Sequence, residues 1–189
     1  MDVGILIDSS AGQSPKDFQE VKTFAKSLIH ELADSENDIK IGLVQYDSNG
    51  RVIRDFNGIQ SANELTRDVD GMTRGESPQR RLDLALQAAR KDLFSLKGGM
   101  RQGHPRQLLV ISSGDSPTSE SFADAVKALD EVKVNRYAIG TNSAVDISFL
   151  RSLASENGNV FKANRPEQLK GQVSTIQQRM CQGTQISRL

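Results

Sequence analysis

The sequence of 189 residues has a single cysteine, Cys181, which excludes an internal disulfide and any zinc site built from several thiolates, and leaves the redox compartment open. It stands just past the last apolar helix face, either as an idle or buried thiol or, in a secreted parent, as half of a bridge to another segment or chain. Charge of one sign is lacking too: 24 basic residues balance 24 acidic ones, so the composition favours neither nucleic acid nor an anionic membrane surface. No apolar run approaches a membrane span, and the N-terminus has neither the charged start nor the cleavable stretch of a signal peptide. The first strand begins almost at Met1, which reads as a domain taken from a longer chain. No Asn-x-Ser/Thr acceptor for an N-glycan occurs.

Enzyme signatures are equally sparse. No Gly-x-Gly-x-x-Gly follows the first strand, which removes the usual dinucleotide reading. Gly98 to Gly103 has the glycine spacing of a phosphate loop, but His104-Pro105 follows where lysine and a hydroxyl residue are needed, and a strand follows rather than a helix. Ser112 and Ser113 end a strand without a nucleophile-elbow pattern. Of the two histidines, His30 falls at the surface or boundary of a helix and His104 in a loop. A serine hydrolase built on Ser112 or Ser113 is therefore a remote alternative.

What is present is a regular alternation of strands and helices. Val3-Gly4-Ile5-Leu6-Ile7 is a buried strand cut off by Asp8-Ser9-Ser10-Ala11-Gly12. Ser14 then reads as an N-cap with Pro15 at the first helical position, followed by Phe18, Val21, Phe24, Ala25, Leu28, Ile29 and Leu32 at helical spacing. Residues 39–46 and 52–56 are strands joined by the turn Asp47-Ser48-Asn49-Gly50, which makes the third strand antiparallel and places it at an edge. A short helix over 61–69, a polar loop over 71–79 and a helix marked by Leu82, Ala85, Leu86, Ala89 and Leu93 come next. A glycine-rich basic loop over 97–106 leads to a fourth strand, 107–112. Helix 121–131, strand 134–139, helix 146–155, strand 159–162 and a last helix from Pro166 carrying Leu169, Val173, Ile176 and Met180 complete the pattern. The expected fold is α/β: a doubly wound, mostly parallel six-stranded sheet with one antiparallel edge strand and helices on both faces. In such sheets ligands sit beyond the carboxyl ends of the strands, which directs attention to Asp8, Ser10 and Gly12.

An opening strand ending in Asp-x-Ser, the early edge hairpin, Leu108-Leu109-Val110-Ile111 before Gly114, and Tyr137-Ala138-Ile139-Gly140 together resemble the von Willebrand factor A domain, a Rossmann-like fold, from Asp2 to Cys181. Gly42-Leu43-Val44-Gln45-Tyr46 and Gly75-Glu76-Ser77-Pro78 are similar to the A domains strung in tandem in the collagen VI alpha-3 chain. The resemblance implies residues 1–181 as one A-type domain, with 182–189 a polar linker or tail. It also implies a divalent cation held by Asp-x-Ser-x-Ser, a threonine before the third helix and an aspartate after the fourth strand, with a partner carboxylate completing the octahedron. Against that pattern this sequence keeps Asp8 and Ser10 but has Gly12, Arg80 and Ser113 at the other three positions, with Gln79 and Arg81 flanking the threonine position. One carboxylate, one hydroxyl and an imported guanidinium make a poor magnesium site, because a fixed positive charge nearby opposes a second one. Arg80 or Arg81 is expected to enter the vacated place and pair with Asp8. The bland alternative is that Asp8 and Ser10 merely cap the turn.

The functional expectation is a non-enzymatic, secreted interaction module of the extracellular matrix, part of a collagen VI-like multidomain chain with a degenerate metal-ion-dependent adhesion site and no cofactor. Its partners would be other matrix proteins or neighbouring A domains, with no nucleic acid, membrane or small-molecule substrate, and the isolated domain would be monomeric. The loops 71–81 and 97–106 are the candidate contact surfaces. The alternative keeps metal-dependent adhesion through Asp8 and Ser10.

Overall fold

The computed structural model describes residues 1–33, 38–117 and 119–182, so the tail assigned to 182–189 falls outside the described residues beyond Gln182. Its strands are β1 (Asp2–Asp8), β2 (Lys40–Tyr46), β3 (Gly50–Arg54), β4 (Arg106–Ser112), β5 (Val134–Gly140) and β6 (Val160–Lys162), in the order β3-β2-β1-β4-β5-β6. Every pairing is parallel except β2 with β3, so the sheet is the mixed one expected, with β3 at one edge.

The helices are α1 (Pro15–Ala33), α2 (Ala62–Gly71), α3 (Leu82–Ala88), α4 (Glu120–Glu131), α5 (Ile147–Leu153) and α6 (Val173–Gln182). Period-two alternation decides which face each strand residue serves. Val3, Ile5 and Ile7 of β1 join the core under α1, α2 and α6, whereas Leu6 joins the one under α3, α4 and α5. Both faces are covered, which is why β1 and β4 read as unbroken apolar runs. The seven apolar positions of α1 are all buried, and Lys22 is buried among them because its ammonium donates to the carbonyls of Asp70 (2.8 Å) and Met72 (3.0 Å) at the end of α2.

Among the boundaries that differ from the sequence reading, three have a local reason. The pairing register of β2 with β3 shifts between Leu43 and Val44, so β3 starts at the turn residue Gly50 and stops at Arg54. Phe56 then leaves the sheet and buries against Phe94, ring centroids 5.6 Å apart. The third helix closes in a π turn over Ala89–Leu93, which keeps Ala89 and Leu93 buried. The last helix is split: Pro166–Gln172 is a 3-10 segment and the α-helical part begins at Val173, after Gly171.

Candidate functional site

Order β2-β1-β4 makes the crevice between β1 and β4 the switch point of the sheet, and the loops that follow these strands meet there. β1 delivers Asp8, 1 % exposed, to the rim. Its Oδ1 accepts from the Ser10 amide at 2.8 Å, a local turn bond that fixes the loop. Its Oδ2 faces across the crevice and accepts from the Ser113 amide (3.0 Å), the Ser113 hydroxyl (2.6 Å) and Nε of Arg80 (3.0 Å).

Arg80 comes from the loop before α3, and its Nη2 also donates to Ser113 Oγ at 3.4 Å. Its guanidinium is held between two glycines. A Cβ on Gly12 would land on Nη2, and one on Gly114 would lie 2.6 Å from Cζ. The side chain is 16 % exposed, against 2 % for that of Asp8, so the pair forms a half-covered floor to the crevice. Arg81, the other arginine considered, turns away and makes a two-bond contact with Asp83, Nε to Oδ1 at 2.8 Å and Nη2 to Oδ2 at 2.7 Å. That contact, with Ser121 adding to it, holds the Asp83 carboxyl below its usual range.

The surrounding loops are tied together by backbone bonds. Gly75 donates to Ser9 O at 2.7 Å and Ala11 to Ser77 O at 2.8 Å, so the loop 72–81 lies strapped over the loop that follows β1. Arg74 reinforces the strap, donating to Gln13 O (2.8 Å) and Ala11 O (2.7 Å). Gln13 in turn donates to Asp8 O at 2.7 Å. Behind the site, burial pushes the Tyr46 hydroxyl well above its ordinary pKa, and the nearby Asp8 carboxylate adds to this. The hydroxyls of Ser10 and Thr141 are buried without a hydrogen-bond partner among the described residues.

Arg74, Gln13 and Gly114 were not singled out in the sequence as members of this site. Arg74 gives no local signal beyond being a cation in a polar loop. Gly114 was visible only as the residue after Ser113.

The serines lack the surroundings of a nucleophile. Ser112 Oγ donates to Gly114 O at 2.6 Å, and Ser113 Oγ is committed to Asp8. His104 lies before β4 and the serines after it, about 20 Å away at the usual strand rise. Among the described residues no group of three or more His, Cys, Asp or Glu is placed to hold a metal ion.

A family model for the von Willebrand factor type A domain matches residues 2–177, and the chain belongs to that family. Chicken (Gallus gallus) matrilin-1 is 28 % identical over 159 residues, covering 82 % of this chain and 31 % of matrilin-1. The mouse (Mus musculus) collagen alpha-4(VI) chain is 28 % identical over 183 residues, covering 95 % of this chain and 8 % of the collagen chain. This chain thus spans less than a third of either relative. Among solved structures, proximal thread matrix protein 1 of the mussel byssus, with a zinc-occupied MIDAS motif, superimposes with a TM-score of 0.81 over 93 % of this chain and 46 % of that one. Its identity of 18 % shows the fold alone. Matrilins, collagen VI chains and the byssus protein are secreted matrix proteins rather than enzymes.

Proposed function

We propose that residues 1–181 act as a metal-independent protein-interaction module of the extracellular matrix, with the Arg80 guanidinium standing where relatives place a divalent cation. The observation that carries the reading is the Arg80 contact with Asp8 and Ser113 between Gly12 and Gly114. The donor set argues the same way. Asp8 is the carboxylate that the crevice turns on, its outward oxygen already accepts three hydrogen bonds, and a guanidinium nitrogen sits 3.0 Å from it. A second positive charge brought to that place would meet repulsion at short range, and no hydroxyl at Gly12 replaces a lost ligand. These residues do not fit a magnesium or manganese ion.

Local charge is conserved by the exchange. A divalent cation with two carboxylates is neutral, and so is Arg80 with Asp8 alone, Ser113 taking the place of the second carboxylate. The crevice would then be a permanently neutral, rigid floor, and partner recognition would fall to the surface formed by the loops around it, which belong to the class that commonly carries binding. Partners proposed from the relatives are other matrix proteins or adjacent A domains of one chain.

Calorimetric titration with magnesium and manganese tests this, using Gly12→Ser/Arg80→Thr/Ser113→Asp as the comparison. Absence of saturable binding by the natural sequence, with binding gained by the triple variant, is expected. Micromolar binding by the natural sequence, lost on Asp8→Ala, would replace the proposal with metal-dependent adhesion.

A further inference from the structure

Asparagine followed by glycine occurs at Asn49-Gly50, Asn57-Gly58 and Asn157-Gly158, and all of these asparagines are exposed. Such a pair is chemically unstable in water, because the unhindered glycine amide nitrogen can attack the asparagine side-chain carbonyl. The attack needs that nitrogen held beside the carbonyl, so the local backbone decides which pair reacts first.

At Asn49 the two groups already meet. The Gly50 amide donates to Asn49 Oδ1 at 2.8 Å, which puts the attacking nitrogen beside the group whose carbon it must reach. Asn49 Nδ2, the nitrogen that would leave, has no hydrogen-bond partner among the described residues, so nothing opposes the rotation that turns Cγ toward Gly50. Packing also fixes the glycine. A Cβ at Gly50 would lie 2.5 Å from Cα of Ala85 and 2.7 Å from its nitrogen, in the backbone of α3, so a bulkier residue that would slow the attack is excluded.

The other two pairs are held apart. The Gly58 amide donates instead to Asp55 Oδ1 at 3.3 Å, while Asn57 Nδ2 donates to Lys97 O at 2.8 Å and to Asp55 Oδ2 at 3.4 Å, so both reacting groups are engaged elsewhere. Asn157 opens a 3-10 turn, Asn157–Asn159, where helical ψ carries the next amide nitrogen onward and the side chain leans back toward the N-terminus.

We propose that Asn49 is a site of spontaneous modification, converting to aspartate and isoaspartate in the folded protein well before Asn57 or Asn157. The Gly50 nitrogen gives its proton to hydroxide and bonds to Cγ, and the side-chain nitrogen leaves as ammonia with a proton from water. Water then opens the five-membered imide. Breaking the new N–Cγ bond gives aspartate, and breaking the original peptide C–N bond gives isoaspartate; water is the co-reactant, and no oxidant or reductant is needed.

Either product places a new carboxylate in the turn that already carries Asp47, and isoaspartate adds a backbone methylene between Tyr46 and Gly50, which are paired across the hairpin. That turn is tied to the strap, since Asp47 O accepts from the Arg81 amide at 2.7 Å. The modification therefore alters one edge of the loops around the crevice, and it stands or falls independently of what fills the crevice.

The test is peptide mapping by mass spectrometry of protein held at pH 8, one sample folded and one unfolded in urea, with isoaspartate read by enzymatic methylation. In the folded sample the amide-to-acid mass gain at Asn49 should run about tenfold or more ahead of that at Asn57 and Asn157, whereas in urea the lead should collapse. Asn57 or Asn157 reacting as fast as Asn49 in the folded protein, Asn49 staying intact there, or an Asn49 lead undiminished in urea would each overturn the proposal.

Discussion

Arg80→Ala isolates the contact on which the functional reading rests. Removing one partner of a buried ion pair costs about 3–5 kcal/mol, because the other charge is left desolvated and unmatched. Here two features reduce that figure. The Arg80 side chain is 16 % exposed, so water can enter when it is cut back, and Asp8 keeps its bonds from the Ser10 amide and from the Ser113 amide and hydroxyl. A loss of about 2–3 kcal/mol is expected after that discount. For a domain of this size it corresponds to a melting temperature lowered by roughly 4–12 °C. Urea unfolding with an unchanged m-value is the assay. If the cost comes from the lost charge pair, Arg80→Lys should keep about 1 kcal/mol or more of the stability that Arg80→Ala loses. An Arg80→Ala protein within about 0.5 kcal/mol of the natural one, or an Arg80→Lys protein as unstable as Arg80→Ala, would refute the reasoning.

Further outcomes follow from neighbouring residues. Gly12→Ser alone should destabilise by about 1–2 kcal/mol, since its Cβ lands on Arg80 Nη2 and forces the guanidinium off Asp8, whereas in an Arg80→Thr background it should be close to neutral; paired urea melts check this. Asp83, its carboxyl held below its ordinary pKa chiefly by Arg81, contributes stability that is present above the unfolded-state pKa and lost as pH falls through the folded one. Stability measured from pH 5 down to pH 2 should therefore fall less steeply in Asp83→Asn than in the natural protein. Burial pushes the Cys181 thiol up, so its reaction with a disulfide reagent at pH 8 should be slower than that of a free thiol, and should accelerate on unfolding in urea.

Much of the architecture was legible because it rests on local signals that agree with one another. The apolar period of α1, the cap at Ser14 (its hydroxyl accepts from the Asp17 amide at 3.0 Å) and the Asp-Ser-Asn-Gly turn each specify one conformation. Where tertiary packing decides, the sequence was silent: the register shift at Leu43, the π turn after α3 and the 3-10 start of the last helix depend on what each segment meets in the core. The site divides likewise. Asp8 and Ser10 announce themselves at a strand end, and Ser113 follows from the repeat of that pattern after β4. The choice between Arg80 and Arg81 was not legible. It is set by where the α3 loop enters the crevice and by Asp83, which lies two residues after Arg81 and engages it. Arg74 and Gln13 act through backbone carbonyls brought near by folding, a relation that no residue pattern displays.

The most direct test of a crevice filled by its own arginine is a manganese titration followed by paramagnetic broadening in the ¹⁵N-labelled domain. The account predicts that the amides of residues 9–12 and 113–115 keep their intensities at manganese concentrations that broaden exposed carboxylates elsewhere. Selective, saturable loss of those amide signals, abolished by Asp8→Ala, would contradict it.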